Sequence, residues 1–356
     1  MKLKVMKVLL KTVLLSITLI AVLSCGSESE DSEQGDTGTD LKTDTTRNDG
    51  ALVIYSGRSE TLIGPIIDQF RTATGVDVSV KYGKTSEISA VLLEEGSKSP
   101  ADVFISQDPT GFGVVDVMLT SAPSDIKELV PEWARSKDGK WIGISGRIRV
   151  VVYNTDLLKP EDVPTSMEAF TDSKWDGLIG WAPTNGSFQA MVTAMRTLWG
   201  EERTKKWLQG IKANNPKEYP KNTPTVDAVS KGEVSVGFVN HYYLYRFIAE
   251  HGEKFPARNR HLGKSDPGSI IMVSGVGILE TSENTDNAEK FVRFLLSEPA
   301  QQYFASQTYE YPMVEGVKIH PLLKPLYEIN KTDINLDSLA DLKGTQALLR
   351  AQGIIP

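Results

Sequence analysis

Three apolar runs, alternating with stretches of helical spacing, constrain this chain most. Ala51-Leu-Val-Ile-Tyr-Ser56 reads as a buried strand. Leu62, Ile63, Ile66, Ile67 and Phe70 then recur on one helix face, and Thr74-Gly75 ends the helix. The segment VDVSVKY alternates as a strand. A second helix runs from about Ser86, with Ile88, Val91, Leu92 and Glu95 at helical spacing, and Pro100–Ser106 gives a third strand. Repeated strand–helix–strand order requires a mostly parallel sheet covered by helices. Ligands of such sheets bind at the carboxyl ends of strands, here Tyr55–Ser59 and Ser106–Asp108.

A second α/β set follows Gly146–Thr155. It holds GLIGWAPTNGSF, a helix from about Gln189 to Leu198, and the strand Val234–Val239 leading into Asn240-His-Tyr-Tyr243. Gly268–Leu279 is a further long apolar strand, followed by two helices, NAEKFVRFLLS and AQQYFAS. The pattern gives two lobes, with the chain crossing near Arg149 and again near Val276. Residues 51–148 and 277–356 form the first lobe and 149–276 the second.

The amino terminus stands apart. Residues 1–24 have the layout of a secretory leader: four lysines, no acid, then a mostly apolar stretch over residues 12–23 that is too short to span a bilayer. Cys25, the only cysteine, follows Ser24 and resembles the acceptor of a bacterial lipobox, although Leu23 is not the small residue usual there; the other reading is a plain cleavage site. Residues 26–50 hold eight acids, two bases and one large aliphatic residue, a composition that does not fold. We read residues 25–50 as a lipidated cysteine and an acidic tether. The net charge of −7 argues against a nucleic-acid partner. The chain is expected to be monomeric and to touch a membrane only through its anchor, at the cell surface or in the periplasm.

Tyr242 and Tyr243 hold the most specific chemistry. They sit past a strand's carboxyl end, and Asn240 suits the N-cap position. The first turn of a helix carries partial positive charge and free N–H groups. One reading is core packing; the other is a pair of phenolate donors to a hard, strongly polarising cation, for which ferric iron fits best. The Asn185-Gly186-Ser187 turn is either a plain N-cap or an anion cradle. Arg58, Arg147 and Arg149 either pair with acids or neutralise bound anions by forked hydrogen bonds. His241, beside the tyrosines, reads as a surface or capping residue. Asp102 and Asp266 read as strand-start and turn residues. No serine elbow, phosphate loop or histidine pair at metal spacing occurs, so an enzyme such as a secreted hydrolase is disfavoured.

Over residues 51–316 the chain resembles the periplasmic ferric-ion-binding proteins that feed ABC transporters. The resemblance rests on VIYSGR, EEGSKSPADVFISQD, SGRIRVVVYNT, APTNGSF, YPKN, VNHYY, DPGSIIMVSGVGIL and YEYPM. It implies a type 2 periplasmic-binding-protein fold, each lobe a mixed, mostly parallel sheet flanked by helices, hinged by two crossover strands. It implies that Tyr242 and Tyr243 bind Fe(3+) as cargo. Carbonate or phosphate would complete the shell, held by Asn185, Gly186, Ser187, Asn222 and Asn240 with the three arginines. Delivery would be to an ABC permease, without catalysis. Two departures matter. Ser59 and Gln107 stand where some relatives place a histidine and a glutamate, and Ser187 or Phe188 stands where others place a third tyrosine. Tyr55 could add a donor, and Ser59 and Gln107 could stand behind the ligands. Rivals are a binding protein of the same fold for a polyamine, thiamine, sulfate or phosphonate, and an iron sensor that signals to a receptor.

Overall fold

The computed structural model describes residues 50–329 and 332–356. The leader over 1–24, Cys25 and nearly all of the tether lie outside the described residues.

Among the described residues eleven strands form, in chain order: β1 (Leu52–Ser56), β2 (Val78–Tyr82), β3 (Val103–Ser106), β4 (Leu119–Thr120), β5 (Ile142–Asn154), β6 (Ile179–Trp181), β7 (Lys217–Glu218), β8 (Val236–Asn240), β9 (Ala257–Arg260), β10 (Ile271–Leu279) and β11 (Tyr311–Pro312). The main path is β2-β1-β3-β10-β5-β8-β6-β7. In the first lobe, β1 pairs in parallel with β2 and β3, as the βαβ pattern requires. β10 runs antiparallel between β3 and β5. In the second lobe, β8 lies antiparallel to β5 and parallel to β6. The result is a mixed sheet flanked by helices in each lobe.

β1 is buried along its whole length, and Ile63, Ile66, Ile67 and Phe70 of the Glu60–Thr74 helix pack against the core as their spacing foretold. Gly75 ends that helix at φ 71°, a left-handed conformation open to glycine at no steric cost.

β5 is the hinge strand. Residues up to Ile148 pair with β10 in the first lobe, and Arg149 onward pairs with β8 in the second. Strand pairing thus changes between Ile148 and Arg149, where the first crossing is expected. The return crossing does not lie at Val276. β10 pairs with β5 from Ile271, and Ile270 O accepts from Arg149 N–H at 3.1 Å, so the chain recrosses at Ile270–Ile271. One unbroken apolar run covers this region and hides the boundary.

The carboxyl-terminal segment also departs from its expected place in the first lobe. The Leu342–Ala351 helix packs on the Gly186–Trp199 helix of the second lobe. Thr345 and Thr193 hydroxyls meet at 2.7 Å, Gln346 Nε2 donates to Gln189 Oε1 at 3.1 Å, and Arg196 pairs with Asp341 at 2.9 Å. The short Leu336–Ala340 helix just before it rests on the Thr110–Val115 helix of the first lobe, where Ala340 leaves no room for a side chain at Gly113. The tail thus straps one lobe to the other.

Candidate functional site

Arg147 and Arg149 are two apart on β5, so both side chains leave the same face of the strand. The hinge lies between them. Each therefore enters the polar cluster of a different lobe, and the two clusters meet where the lobes meet.

The second-lobe cluster is built on Arg149, which is 1% exposed. Its Nη1 donates to Ser187 Oγ, Asn222 Oδ1 and Asn240 Oδ1, each at 3.2 Å. Asn185 caps the Gly186–Trp199 helix: its Oδ1 accepts from Ser187 N–H at 3.0 Å and from Ser187 Oγ at 2.6 Å. Asn222 Nδ2 closes the ring by donating to Asn185 Oδ1 and Ser187 Oγ at 3.3 Å. Gly186 opens the helix at the same turn, and Asp108 of the other lobe is the nearest group that a Cβ there would approach. Arg149 Nε and Nη2 are buried without a protein partner. Burial pushes this guanidinium down to about 9, against the pull of Tyr243 and Tyr242. A buried fork with free N–H groups has the chemistry to accept an anion.

The Tyr242–His251 helix begins beside this cluster. Successive helical residues normally diverge by about 100°, yet the Tyr242 and Tyr243 rings stack at 4.3 Å between centres and 27° between planes. The first turn brings both phenols to one place. Burial lifts the Tyr242 hydroxyl well above its ordinary range. The neighbouring Tyr243 adds to this and Arg147 opposes it. The phenol is thus neutral unless a strong cation replaces its proton. Arg246, one turn on, lies over both rings, 5.2 Å and 5.8 Å from their centres.

Asn240 is not the N-cap. It ends β8, its side chain is spent on Arg149, and His241 occupies the cap position without a side-chain cap bond. β8 runs one residue further than its apolar pattern suggests, because Asn240 still pairs with Arg149. His241 is fully buried rather than at the surface.

The first-lobe cluster holds Arg58, Arg147 and Glu310. Arg58, 0% exposed, ion-pairs with Glu310 and donates to Ser145 Oγ at 3.1 Å and Ser274 Oγ at 2.6 Å. Arg147 donates to Ser274 Oγ at 2.7 Å and to the Gln107 carbonyl. Burial works against the Glu310 charge, but Arg58 outweighs it and holds the carboxyl below its usual range. Sequence reasoning missed Glu310, although it lies inside YEYPM. Its partner Arg58 is too far away in the chain for spacing to reveal.

Two candidates are not brought in. Tyr55 points away from the phenol pair and donates to Glu95 Oε1 at 2.9 Å, under Lys81; burial first, and Glu95 second, keep it protonated. A strand residue's face follows from its register, and the helix bearing Glu95 covers this one. Ser59 is exposed at a helix start and pairs with Thr61 at 3.1 Å. Gln107 joins through its main chain, while its Oε1 is buried without a partner. Asp102 and Asp266 behave as strand-start and turn residues, accepting from Val53 N–H at 2.8 Å and Gly268 N–H at 2.8 Å. Among the described residues no group of three acidic, histidine or cysteine side chains forms a metal cluster.

Known proteins resemble this chain over most of its length. The family model described as "Bacterial extracellular solute-binding protein" matches residues 55–302. The major ferric iron-binding protein of Neisseria meningitidis is 33% identical over 311 residues, covering 85% of this chain and 93% of that protein. The Fe(3+)-binding periplasmic protein of Serratia marcescens is 31% identical, covering 85% and 90%. Among solved structures, iron-bound HitA from Pseudomonas aeruginosa superposes with a TM-score of 0.81 at 32% identity, covering 85% of this chain and 99% of that one. A Trichodesmium protein in complex with iron and citrate gives 0.77 at 26%, covering 86% and 100%. The chain is a binding protein, not an enzyme, and it belongs to the bacterial extracellular solute-binding family, within its periplasmic ferric iron-binding branch.

Proposed function

We propose that this protein captures ferric iron with a synergistic anion between its lobes and hands it to an ABC-type permease, held at the membrane by a lipid on Cys25. The observation that carries the reading is a pair of stacked phenols at a helix start beside a buried arginine with two free nitrogens. Tyr242 and Tyr243 supply two hard anionic donors once iron displaces their protons. Arg149 receives the anion, with Ser187, Asn222 and Asn240 holding the guanidinium in place and Asn185 fixing Ser187 and Asn222. Arg58 is engaged by Glu310, so it sets the charge of the cleft rather than gripping the anion. The donor set is short of a full shell, because Tyr55 is spent elsewhere and Gln107 is a weak ligand. Carbonate, phosphate or a polycarboxylate such as citrate fills the rest.

An organic-cation cargo is disfavoured by the same geometry: Arg58, Arg147, Arg149 and Arg246 surround the site, and Glu310 is already paired. The test is thermal unfolding with ferric iron alone, anion alone, and both. Iron and anion together are expected to raise the midpoint more than either alone adds up to. Stabilisation by spermidine or thiamine instead would reject the reading.

A further inference from the structure

His241 precedes the tyrosine pair, and neither metal nor anion chemistry accounts for it. It is 0% exposed. Its main-chain N–H donates to Ile148 O at 3.0 Å, and its ring Nδ1 lies 3.2 Å from Ile148 N. An amide N–H can only donate, so Nδ1 is the acceptor and the ring proton sits on Nε2. Nε2–H then donates to the Tyr309 carbonyl at 2.8 Å. The ring stacks on Tyr311 at 5.0 Å and 28°.

Each contact falls on a different part of the machinery. Ile148 is the last residue of β5 paired in the first lobe, and Arg149 the first paired in the second. Tyr309 carries a left-handed backbone at φ 55°, a strained state for a non-glycine residue that its surroundings must hold. Glu310, next in the chain, holds Arg58. One imidazole therefore touches the hinge strand, the turn that aims the phenols, and the first-lobe segment that sets the charge of the cleft.

We propose that His241 is a positioning residue that couples the Tyr242–Tyr243 turn to the hinge and to the Tyr309–Glu310 segment, so that the donors are aligned only as the lobes close. Its role in iron retention rests on the reading of the tyrosines as ligands, whereas the mechanical coupling rests on the contacts alone.

His241→Asn and His241→Gln separate the contacts. Asn keeps an acceptor near the Nδ1 position and has nothing at Nε2, whereas Gln reaches the Nε2 position with a donor and loses Nδ1. In the metal-free protein, NMR amide exchange at Ile148 should accelerate tenfold or more in the Gln variant and stay slow in the Asn variant. Exchange in the 309–311 segment should show the reverse. With ferric citrate and bicarbonate loaded, both variants should surrender iron to excess EDTA at least tenfold faster than the parent protein. Exchange unchanged at both places in both variants would overturn the coupling. So would loaded variants that release iron at the parent rate while only their melting temperatures fall. If the parent shows no phenolate–iron absorption, the metal reading fails, and the exchange pattern alone decides the coupling.

Discussion

Arg246 shows how much a single side chain can tune a pair of phenols. Its guanidinium lies over both rings, a cation–ring contact worth about 0.5–1 kcal/mol. Arg246→Met should move the phenolate-to-iron band to longer wavelength, because the filled phenolate orbital rises without the cation, and should weaken iron a few-fold. An unmoved band would mean the stack is incidental. Arg149→Lys keeps the charge but loses the fork. It should remove most of the dependence of iron affinity on anion, a loss of tenfold or more by competition titration. The tyrosine pair was legible because two adjacent phenols at a strand–helix junction are unusual. Tyr55 and Glu310 were not. Which way Tyr55 faces depends on register against Lys81 and Glu95, and what Glu310 meets depends on Arg58.

At the scale of elements, strands and helices were legible wherever burial imposes a period. β1 and the Glu60–Thr74 helix fall within a residue or two of the apolar pattern. The end of β8 and the recrossing at Ile270 were not legible, because pairing with β5 sets both and neighbouring residues look alike. The Asn185 cap serves both the helix and the hydrogen-bonded ring around Arg149. Asn185→Ala should cost about 1 kcal/mol of stability and also loosen Ser187 and Asn222, lowering anion affinity; loss of stability alone would separate cap from cluster. Buried histidines add a pH dependence. Burial pushes His241 down to about 3, and His261 down to about 4. The unfolded chain takes up these protons below about pH 6.5 and the folded chain does not. Stability is therefore full above that pH and falls as pH drops toward the folded values. For His241 this is roughly 2–3 kcal/mol by pH 4.5. His241→Asn should flatten the curve of melting temperature against pH between 6.5 and 4.5.

At the scale of the molecule, the site is largely covered. Tyr242, Arg147 and Arg149 are each at most 2% exposed, while Tyr243 and Ser187 are only partly buried, so the proposed iron capture requires the lobes to part and then close. The carboxyl-terminal strap holds both lobes and has to yield on one side during opening. Its grip on the Gly186–Trp199 helix uses hydrogen bonds and an ion pair, whereas its grip on the Thr110–Val115 helix is close packing at Gly113. Gly113→Val should force the second contact apart and favour open lobes, seen as a larger radius of gyration by X-ray scattering and faster iron release. An unchanged radius would show that the strap does not limit opening. The two-lobe plan was legible from the alternation of elements. The strap was not, because nothing in the spacing of its residues says which lobe they join.

The proposed capture depends on two phenolates meeting ferric iron. The measurement is the visible spectrum of the metal-stripped body from Ala51, titrated with ferric citrate and bicarbonate. The expected result is a strong phenolate-to-iron band that saturates at one iron per chain, weakens in Tyr242→Phe and in Tyr243→Phe, and vanishes when both are changed. Tight iron binding with no such band, or a band indifferent to both substitutions, would contradict it.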